Sequence, residues 1–196
     1  MPRAVFKNMR IIAGRLKGRR LEGPTGPGLR PTSDRLRETL FNILSPRIAG
    51  ARVLDGFAGT GAIGLEALSR GAAHVTFVER DPKATAVIAK NVAHCGVSHG
   101  CAIVKGEFTR LAARLGRETP FDLIVLDPPY DLADLEAALT AAATLMAPDG
   151  LLVLEHSRRR APPATVPGLV RRRAVTAGDS GLAFYGPAEA VMPSPA

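Results

Sequence analysis

From residue 51 onward, short apolar runs alternate with longer segments rich in alanine and leucine. The runs with strand character are residues 52–54, 75–78, 102–104, 121–126 and 151–154. The segments with helix character are residues 62–70, 82–94, 108–115 and 132–146. Strands separated by helices pair in parallel through right-handed crossovers. The alternation therefore predicts an α/β fold, with an open and mostly parallel sheet between two layers of helices.

The pattern changes near the end of the chain. Residues 169–176 and 181–186 are both strand-like, and only Ala177-Gly-Asp-Ser180 separates them. A separation this short predicts an antiparallel hairpin that completes the sheet. The Pro- and Ala-rich tail at residues 187–196 is expected to be disordered.

Positive charge is concentrated in the first quarter of the sequence. The formal net charge is +8, and residues 1–50 hold eleven Lys and Arg against three Asp and Glu, so the rest of the chain is balanced. Such segregation is typical of an extension that binds a polyanion. We therefore predict a basic N-terminal unit at residues 1–31 that binds nucleic acid and a main domain at residues 32–186.

Within that unit, residues 9–13 and 18–22 predict two short strands around a turn at residues 14–18. The cations expected to contact nucleic acid are Arg10, Lys17, Arg19, Arg20 and, in the Gly/Pro loop that follows, Arg30. Next comes a predicted helix with Leu36, Leu40, Phe41 and Leu44 on one face. Thr32 or Ser33 would cap this helix and Pro46 would end it.

The turn after the first core strand has the composition of a ligand site. Gly59, Gly61 and Gly64 fit G-x-G-x-x-G, which allows backbone to approach a ligand closely but also fits nicotinamide and flavin sites. Asp55 precedes the turn, where it would repel a pyrophosphate yet suit a phosphate-free cofactor with a cationic methionine end. Glu79 closes the next strand, where an acid accepts hydrogen bonds from ribose hydroxyls.

Four more residues complete the predicted cofactor site. Phe57 and Thr60 belong to the glycine turn, and Arg80 follows Glu79. Glu107 follows the third strand, where its carboxylate is placed to accept from an adenine amine or to remain solvated.

The most specific motif is Asp127-Pro128-Pro129-Tyr130 after the fourth strand. The prolines stiffen the turn and remove two donors, which leaves the Asp127 carboxylate and backbone carbonyls as acceptors. A site made of acceptors suits an exocyclic base amine, because the two N–H groups of the amine each donate a hydrogen bond. These two hydrogen bonds would orient the amine. Tyr130 would stack on the target base. Parallel strands end at one edge of their sheet, so both motifs are predicted to share a crevice.

With these motifs the chain resembles the bacterial 16S ribosomal RNA guanine-N2 methyltransferases, the family that modifies guanine 966. The stretches that carry the resemblance are residues 10–14, 17–19, 29–42, 55–70 and 127–130. The resemblance implies a Rossmann-like class I methyltransferase fold, for which the terminal hairpin is typical, and S-adenosylmethionine as cofactor. It also implies small-subunit 16S rRNA, or an assembling subunit, as partner. Family members vary at the position of Glu107, so its contact is transferred only weakly.

Three other readings stay open. A DNA methyltransferase for adenine N6 or cytosine N4 uses the same tetrapeptide, but 196 residues leave little room for a target-recognition domain. A nicotinamide-dependent oxidoreductase is disfavoured by Asp55 and by the terminal hairpin. A non-catalytic RNA-binding assembly factor on the same fold is disfavoured by the intact tetrapeptide. The arginine triplets at residues 158–160 and 171–173 either extend the RNA-binding surface or are charged side chains in solvent. Residues 30–32 have three possible roles: they cover the cofactor, bind phosphate or cap the following helix.

Other features indicate a cytoplasmic protein without metal. We expect a monomer, although no sequence feature fixes the oligomeric state. No apolar run has the length of a membrane span, and the first residues lack a signal core. Cys95 and Cys101 are expected to be idle thiols, and the histidines lack metal-ligand spacing.

Overall fold

The computed structural model describes residues 9–23, 34–116 and 120–188. Helices in these residues are α1 (Asp34–Ile48), α2 (Ala62–Ser69), α3 (Pro82–His94), α4 (Phe108–Leu115) and α5 (Leu135–Ala143). The first five strands are β1 (Arg52–Gly56), β2 (His74–Glu79), β3 (Cys101–Lys105), β4 (Phe121–Leu126) and β5 (Met146–Ser157). Three more follow, β6 (Thr165–Val166), β7 (Leu169–Ala177) and β8 (Ser180–Pro187).

The strands form one sheet in the order β3-β2-β1-β4-β5-β8-β7-β6. Strands β1 to β5 are parallel, and β8 is antiparallel to both β5 and β7. The predicted architecture, a parallel sheet that ends in an antiparallel hairpin, is confirmed. We call the edge at which β1 to β5 end the carboxyl edge. The β7–β8 turn lies at this edge too, because Ser180 pairs with Ser157.

Alternating side chains of the central strands fill two cores. Val53 of β1 joins the cluster that also holds Leu65 and Ile88, whereas Leu54 joins the cluster that holds Phe108 and Leu139. Since successive strand residues point to opposite faces, α2 and α3 cover one face of the sheet and α4 and α5 the other. Both faces are closed, so the strand ends are left as the place for a site.

Three expectations about element boundaries are wrong. Helix α1 continues through Pro46 to Ile48, because Pro46 lies in the last turn and loses only one hydrogen bond, while Ile48 becomes buried. Helix α5 is shorter than expected, since the Asp134 side chain accepts from Ala137 N at 2.8 Å and fixes its start. Strand β5 begins at Met146, which was expected to be helical. The predicted caps Thr32 and Ser33 lie outside the described residues.

Residues 9–23 double back on themselves with their apolar side chains inward. In place of two strands there is a single antiparallel bridge, Arg10 to Arg20, flanked by a hydrogen bond from Leu21 N to Met9 O of 2.9 Å. Buried side chains of this segment are Met9, Ile11, Leu16 and Leu21. They belong to the same core cluster as α1, α2 and α3, so this basic segment is built onto the sheet domain.

The turn of this segment lies far from the carboxyl edge. Helix α2 starts at that edge, directly after β1, and ends at Ser69, whose hydroxyl accepts from Leu16 N at 2.9 Å. Eight helical residues span about 12 Å. The turn at residues 14–18 is therefore roughly one helix length below the strand ends. Among the described residues, no helix combines the length and apolarity needed to cross a bilayer.

Candidate active site

The glycine turn between β1 and α2 is shaped by backbone that only glycine adopts easily. Gly59 and Gly61 have φ of 56° and 76°. Gly64 lies in α2 directly over β2, where an added Cβ would overlap the ring of Phe77 and lie 2.7 Å from Val75 Cγ1. The third glycine thus allows close helix–strand packing. The N–H groups of the first two hold the turn together, since Gly59 N donates to the Glu79 carboxylate and Gly61 N donates to Ala58 O at 2.7 Å.

Asp55 lies beneath this turn. Its side chain is 1% exposed, and its Oδ2 accepts a hydrogen bond from Gly64 N at 2.9 Å. Burial raises the pKa of Asp55 well above its usual value, the charges of Asp127 and Glu79 raise it further, and the Gly64 N–H opposes them. Three acids from different strand ends therefore converge, as the sequence predicted for one crevice. Their mutual repulsion favours a cation there.

Glu79 connects the glycine turn to the following strand. Its Oε2 accepts from Gly59 N at 2.8 Å and its Oε1 accepts from Asp81 N at 2.8 Å. Each carboxylate oxygen has a second lone pair, so these bonds leave acceptor capacity for a ribose hydroxyl. The carboxylate thus fixes the turn and remains able to bind a ligand.

A cavity of about 250 Å³ opens beside Glu79 at the carboxyl edge. Its lining includes three predicted cofactor residues, Phe57, Arg80 and Glu107. The other lining residues are Val78, Gly106, Phe108, Thr109, Leu132, Ala133, Asp134, Ala137 and Ala138. The wall from Leu132 to Ala138 was missed, because its alanines gave no sign of facing a cavity.

Phe57 is held in a strained conformation at this cavity. Its φ is 65°, which a bulky residue rarely adopts, and its ring lies 5.5 Å from that of Phe108 between centroids. Such strain is typical of functional sites, where surrounding structure maintains it. Glu107, opposite, accepts from Thr109 Oγ1 at 2.6 Å and pairs with Arg110 Nε at 3.0 Å. Its carboxylate is thereby oriented at the cavity wall.

Thr60 ties the glycine turn to the N-terminal segment through Asn91. Thr60 O accepts from Asn91 Nδ2 at 2.9 Å, and Asn91 Oδ1 accepts from Glu22 N at 2.7 Å. Thr60 Oγ1 also lies 3.7 Å from Met9 Sδ. Asn91 is 1% exposed. The sequence analysis missed it, although its position on the apolar face of α3, with Val87 and Ile88, was a signal that it must have polar partners.

The Asp-Pro-Pro-Tyr motif follows β4 and lies beside the end of β1. Asp127 N donates to Gly56 O at 3.4 Å, and Leu126 pairs with Gly56. Pro128 is buried, whereas Pro129 and Tyr130 are exposed, Tyr130 by 53%. The two motifs therefore meet as predicted, with acceptors inside and an aromatic ring outside.

The Tyr130 hydroxyl lies 2.9 Å from Ser180 Oγ in the β7–β8 hairpin. No sequence pattern indicates this contact, since 50 residues separate the pair. It arises because β8 runs antiparallel beside β5 and begins at the carboxyl edge. The hairpin thus orients the tyrosine ring.

The predicted RNA-binding cations are spread along the N-terminal segment. Arg10 and Arg20 bridge near the glycine turn, since Met9, next to Arg10, contacts Thr60. Arg10, Lys17, Arg19 and Arg20 are exposed on the N-terminal segment, and Lys17 lies in the turn at the far end of α2. Arg19 Nη1 donates to His94 O at 3.1 Å, at the last residue of α3. Arg30 lies outside the described residues. In the described ranges no group of three or more His, Cys, Asp or Glu is placed to hold a metal ion.

Comparison with known proteins agrees with this geometry. The family described as conserved hypothetical protein 95 matches residues 9–186. YlbH of Bacillus subtilis is 41% identical over 180 residues, which are 90% of this chain and 98% of YlbH. The ribosomal RNA small subunit methyltransferase D of Escherichia coli is 44% identical over 131 residues, 67% of this chain and 65% of that protein.

A solved structure has the same fold. The solved structure of the Escherichia coli protein yhhF superposes with a TM-score of 0.77 at 36% identity, covering 91% of this chain and 97% of that one. The architecture is that of the class I S-adenosylmethionine-dependent methyltransferases, as the sequence predicted. The chain belongs to the conserved hypothetical protein 95 family, the family of the ribosomal RNA small subunit methyltransferases D.

Proposed function

We propose that this protein transfers a methyl group from S-adenosylmethionine to the exocyclic N2 amine of a guanine in small-subunit 16S rRNA. The observation that carries the proposal is the meeting of the two motifs: Asp55 and Glu79 accept from the glycine turn, and Asp127, the first residue of the Asp-Pro-Pro-Tyr turn, donates its N–H to Gly56 at the end of β1. The side chains at this place are hydrogen-bond acceptors with negative charge, and the prolines after Asp127 add backbone carbonyls without N–H donors. A cationic methyl donor and an amine that accepts the methyl group both fit this place.

The residues present fit the cofactor. Burial raises the pKa of Asp55 most, and the charges of Asp127 and Glu79 raise it further. The cofactor has a cationic sulfonium end, which offsets the repulsion among these acids. Its adenosine has a flat apolar ring, which suits the cavity beside Phe57 and Phe108. Glu79 accepts from the ribose hydroxyls and Glu107 from the adenine amine. When bound, S-adenosylmethionine supplies an activated methyl group on an excellent leaving group.

The chain itself contributes mainly position. The amine nitrogen of a base is a poor nucleophile, because its lone pair is delocalised into the ring. The Asp127 carboxylate and the Pro128 carbonyl accept hydrogen bonds from the two N–H groups of the base amine. These bonds hold the nitrogen lone pair toward the methyl group, and Asp127 takes up the proton that is released. Tyr130 stacks on the extruded base. Alignment of this kind lowers a barrier by up to ~7–11 kcal/mol.

The rRNA substrate is proposed from the relatives and from charge. The Escherichia coli relative is named for the small ribosomal subunit RNA. The excess of +8 lies in the N-terminal quarter of this chain, which suits a polyanion. We extend the proposal to a monomer that acts in the cytoplasm on the small subunit or its assembly intermediate. Division of the chain near residue 31 stays a prediction, because residues 24–33 are outside the described part.

The test is nucleoside mass spectrometry of small-subunit rRNA from cells that lack the protein. We expect N2-methylguanosine to disappear at one position and to return with the wild-type gene. Asp127→Ala should not restore it, and purified Asp127→Ala should transfer methyl at least about 100-fold more slowly while still binding S-adenosylmethionine. Asp149→Ala, which removes an exposed carboxylate distant from the site, should behave as wild type. A methyl group on another atom, or full activity of Asp127→Ala, would refute the proposal.

A further inference from the structure

Three consecutive arginines, residues 158–160, leave the sheet beside the Asp-Pro-Pro-Tyr turn. Strand β5 ends at Ser157, and its parallel pairing with β4 places both strand ends at the carboxyl edge. All three arginines are exposed. The sequence left open whether this triplet binds RNA or is only solvated charge, and its place beside the proposed target site bears directly on that choice.

The triplet is fixed to the β7–β8 hairpin by backbone hydrogen bonds. Arg158 N donates to Asp179 O at 2.9 Å. Arg160 N donates to Ser157 O at 3.1 Å, and Arg159 N donates to Ser157 Oγ at 3.3 Å. These bonds close a tight turn, so the three side chains leave a fixed backbone rather than a loose loop.

The same hairpin holds the tyrosine. Ser180 pairs with Ser157 across the strands, and Ser180 Oγ lies 2.9 Å from Tyr130 Oη. The arginine turn and the stacking ring are therefore attached to one residue, Ser180. An RNA strand whose base stacks on Tyr130 would have its neighbouring phosphates next to the arginine turn.

The charges of the triplet are available to a partner. Within the described ranges, no ion pair involves residues 158–160. The exposed acids nearest to the triplet in the chain's topology are Asp179 in the hairpin and Asp131 after the tyrosine, while Asp134, Glu136 and Asp81 lie at the starts of α5 and α3 along the same edge. The other triplet differs, because Arg171 donates to Pro162 O at 2.6 Å and Arg172 to Pro187 O at 3.1 Å. The side chains of those two arginines are therefore hydrogen-bonded to backbone carbonyls of the neighbouring chain segments.

We propose that residues 158–160 form an RNA-backbone clamp at the carboxyl edge, which grips the phosphates that flank the target nucleotide. This inference rests on the proposed function and adds cations at the end of β5 to those of the N-terminal segment. The turn of that segment lies about 12 Å away along α2. Because the clamp contacts phosphate, it binds without regard to base sequence.

The test compares Arg158→Gln/Arg159→Gln/Arg160→Gln with a control that loses the same charge elsewhere, Lys90→Gln/Arg114→Gln/Arg173→Gln. The control residues are exposed and lie on α3, α4 and β7. The probe is the small-subunit particle with unmethylated rRNA from cells that lack the protein, and its Kd is measured from 50 to 300 mM salt. Binding of S-adenosylmethionine is measured in parallel and reports whether each variant is folded.

Three phosphate contacts contribute about 2 to the slope of log affinity against log salt. We expect the clamp variant to lose that amount, which weakens binding up to about 100-fold at 0.1 M salt, and the control to lose much less. Methyl transfer at a saturating concentration of the particle should be nearly unchanged, since the clamp acts on KM. If wild type methylates the particle but both variants bind it alike, the clamp is wrong and the proposed function stands. If wild type transfers no methyl to rRNA, the proposed function fails and the clamp fails with it.

Discussion

Glu66 of α2 attaches the N-terminal basic segment to the sheet domain. The residue is fully buried, and its carboxylate accepts from Ile12 N at 2.7 Å, from Ala13 N at 3.0 Å and from Arg70 Nε at 2.7 Å. Both backbone donors belong to the segment that we expect to contact RNA. Replacement of Glu66 by Gln keeps the shape of the side chain and removes one acceptor.

The expected cost follows from these three bonds. In Glu66→Gln an amide NH2 takes the place of one oxygen, so at least one part-buried N–H faces another donor. An orphaned donor costs about 1–3 kcal/mol, and the remaining bonds lose the extra strength that a charged acceptor gives, roughly 1 kcal/mol. We therefore expect a loss of about 3 kcal/mol in the free energy of unfolding. For a chain of this length that lowers Tm by roughly 6–12 °C.

The assay is urea unfolding of Glu66→Gln beside Glu38→Gln, which neutralises an exposed glutamate of α1. Hydrogen exchange at the Ile12 and Ala13 amides should accelerate more than in the core strands, because the segment detaches first. RNA affinity should fall while binding of S-adenosylmethionine is retained. If Glu66→Gln unfolds at the same urea concentration as Glu38→Gln, the carboxylate does not anchor the segment and the reasoning fails.

Two further predictions concern the glycine turn. Because the pKa of Asp55 is raised in the folded state, the folded protein holds this proton longer than the unfolded chain does. Its stability therefore falls as pH rises through the range above the unfolded pKa of about 4. The stability of Asp55→Asn relative to wild type should therefore rise between pH 4 and pH 8 in thermal melts of the free protein, and the variant should bind S-adenosylmethionine more weakly. A stability difference that stays constant or falls over this pH range would contradict the prediction. Gly64→Ala forces a methyl group against Phe77 and Val75 and should cost about 1–3 kcal/mol or more in urea unfolding. Gly116→Ala is its control, because the nearest atoms to an added Cβ there are 3.4 Å away, and equal stability of the two variants would show that the helix moves away freely.

The sequence by itself determined the kind of sheet and the place of the site. Strand and helix segments alternate, and that order alone requires parallel strands whose carboxyl ends share an edge. The glycine turn and the Asp-Pro-Pro-Tyr motif each follow a strand, so their meeting was predictable without coordinates. Boundaries were less so, as Pro46 and Met146 show, because burial of Ile48 and strand pairing of Met146 override local preference.

Only the tertiary structure decided which distant residues support the site. Asn91 reaches Glu22 over 69 positions, Glu66 reaches Ile12 over 54, and Ser180 meets Tyr130 over 50. These contacts depend on the packing of α2 and α3 against the N-terminal segment and on the reversed direction of β8. A local pattern records which side chains are polar and which are apolar, but a buried hydrogen bond needs two groups whose positions are fixed by the whole fold. For the same reason the sequence left the triplet at residues 158–160 undecided, whereas the strand order puts it beside the tyrosine.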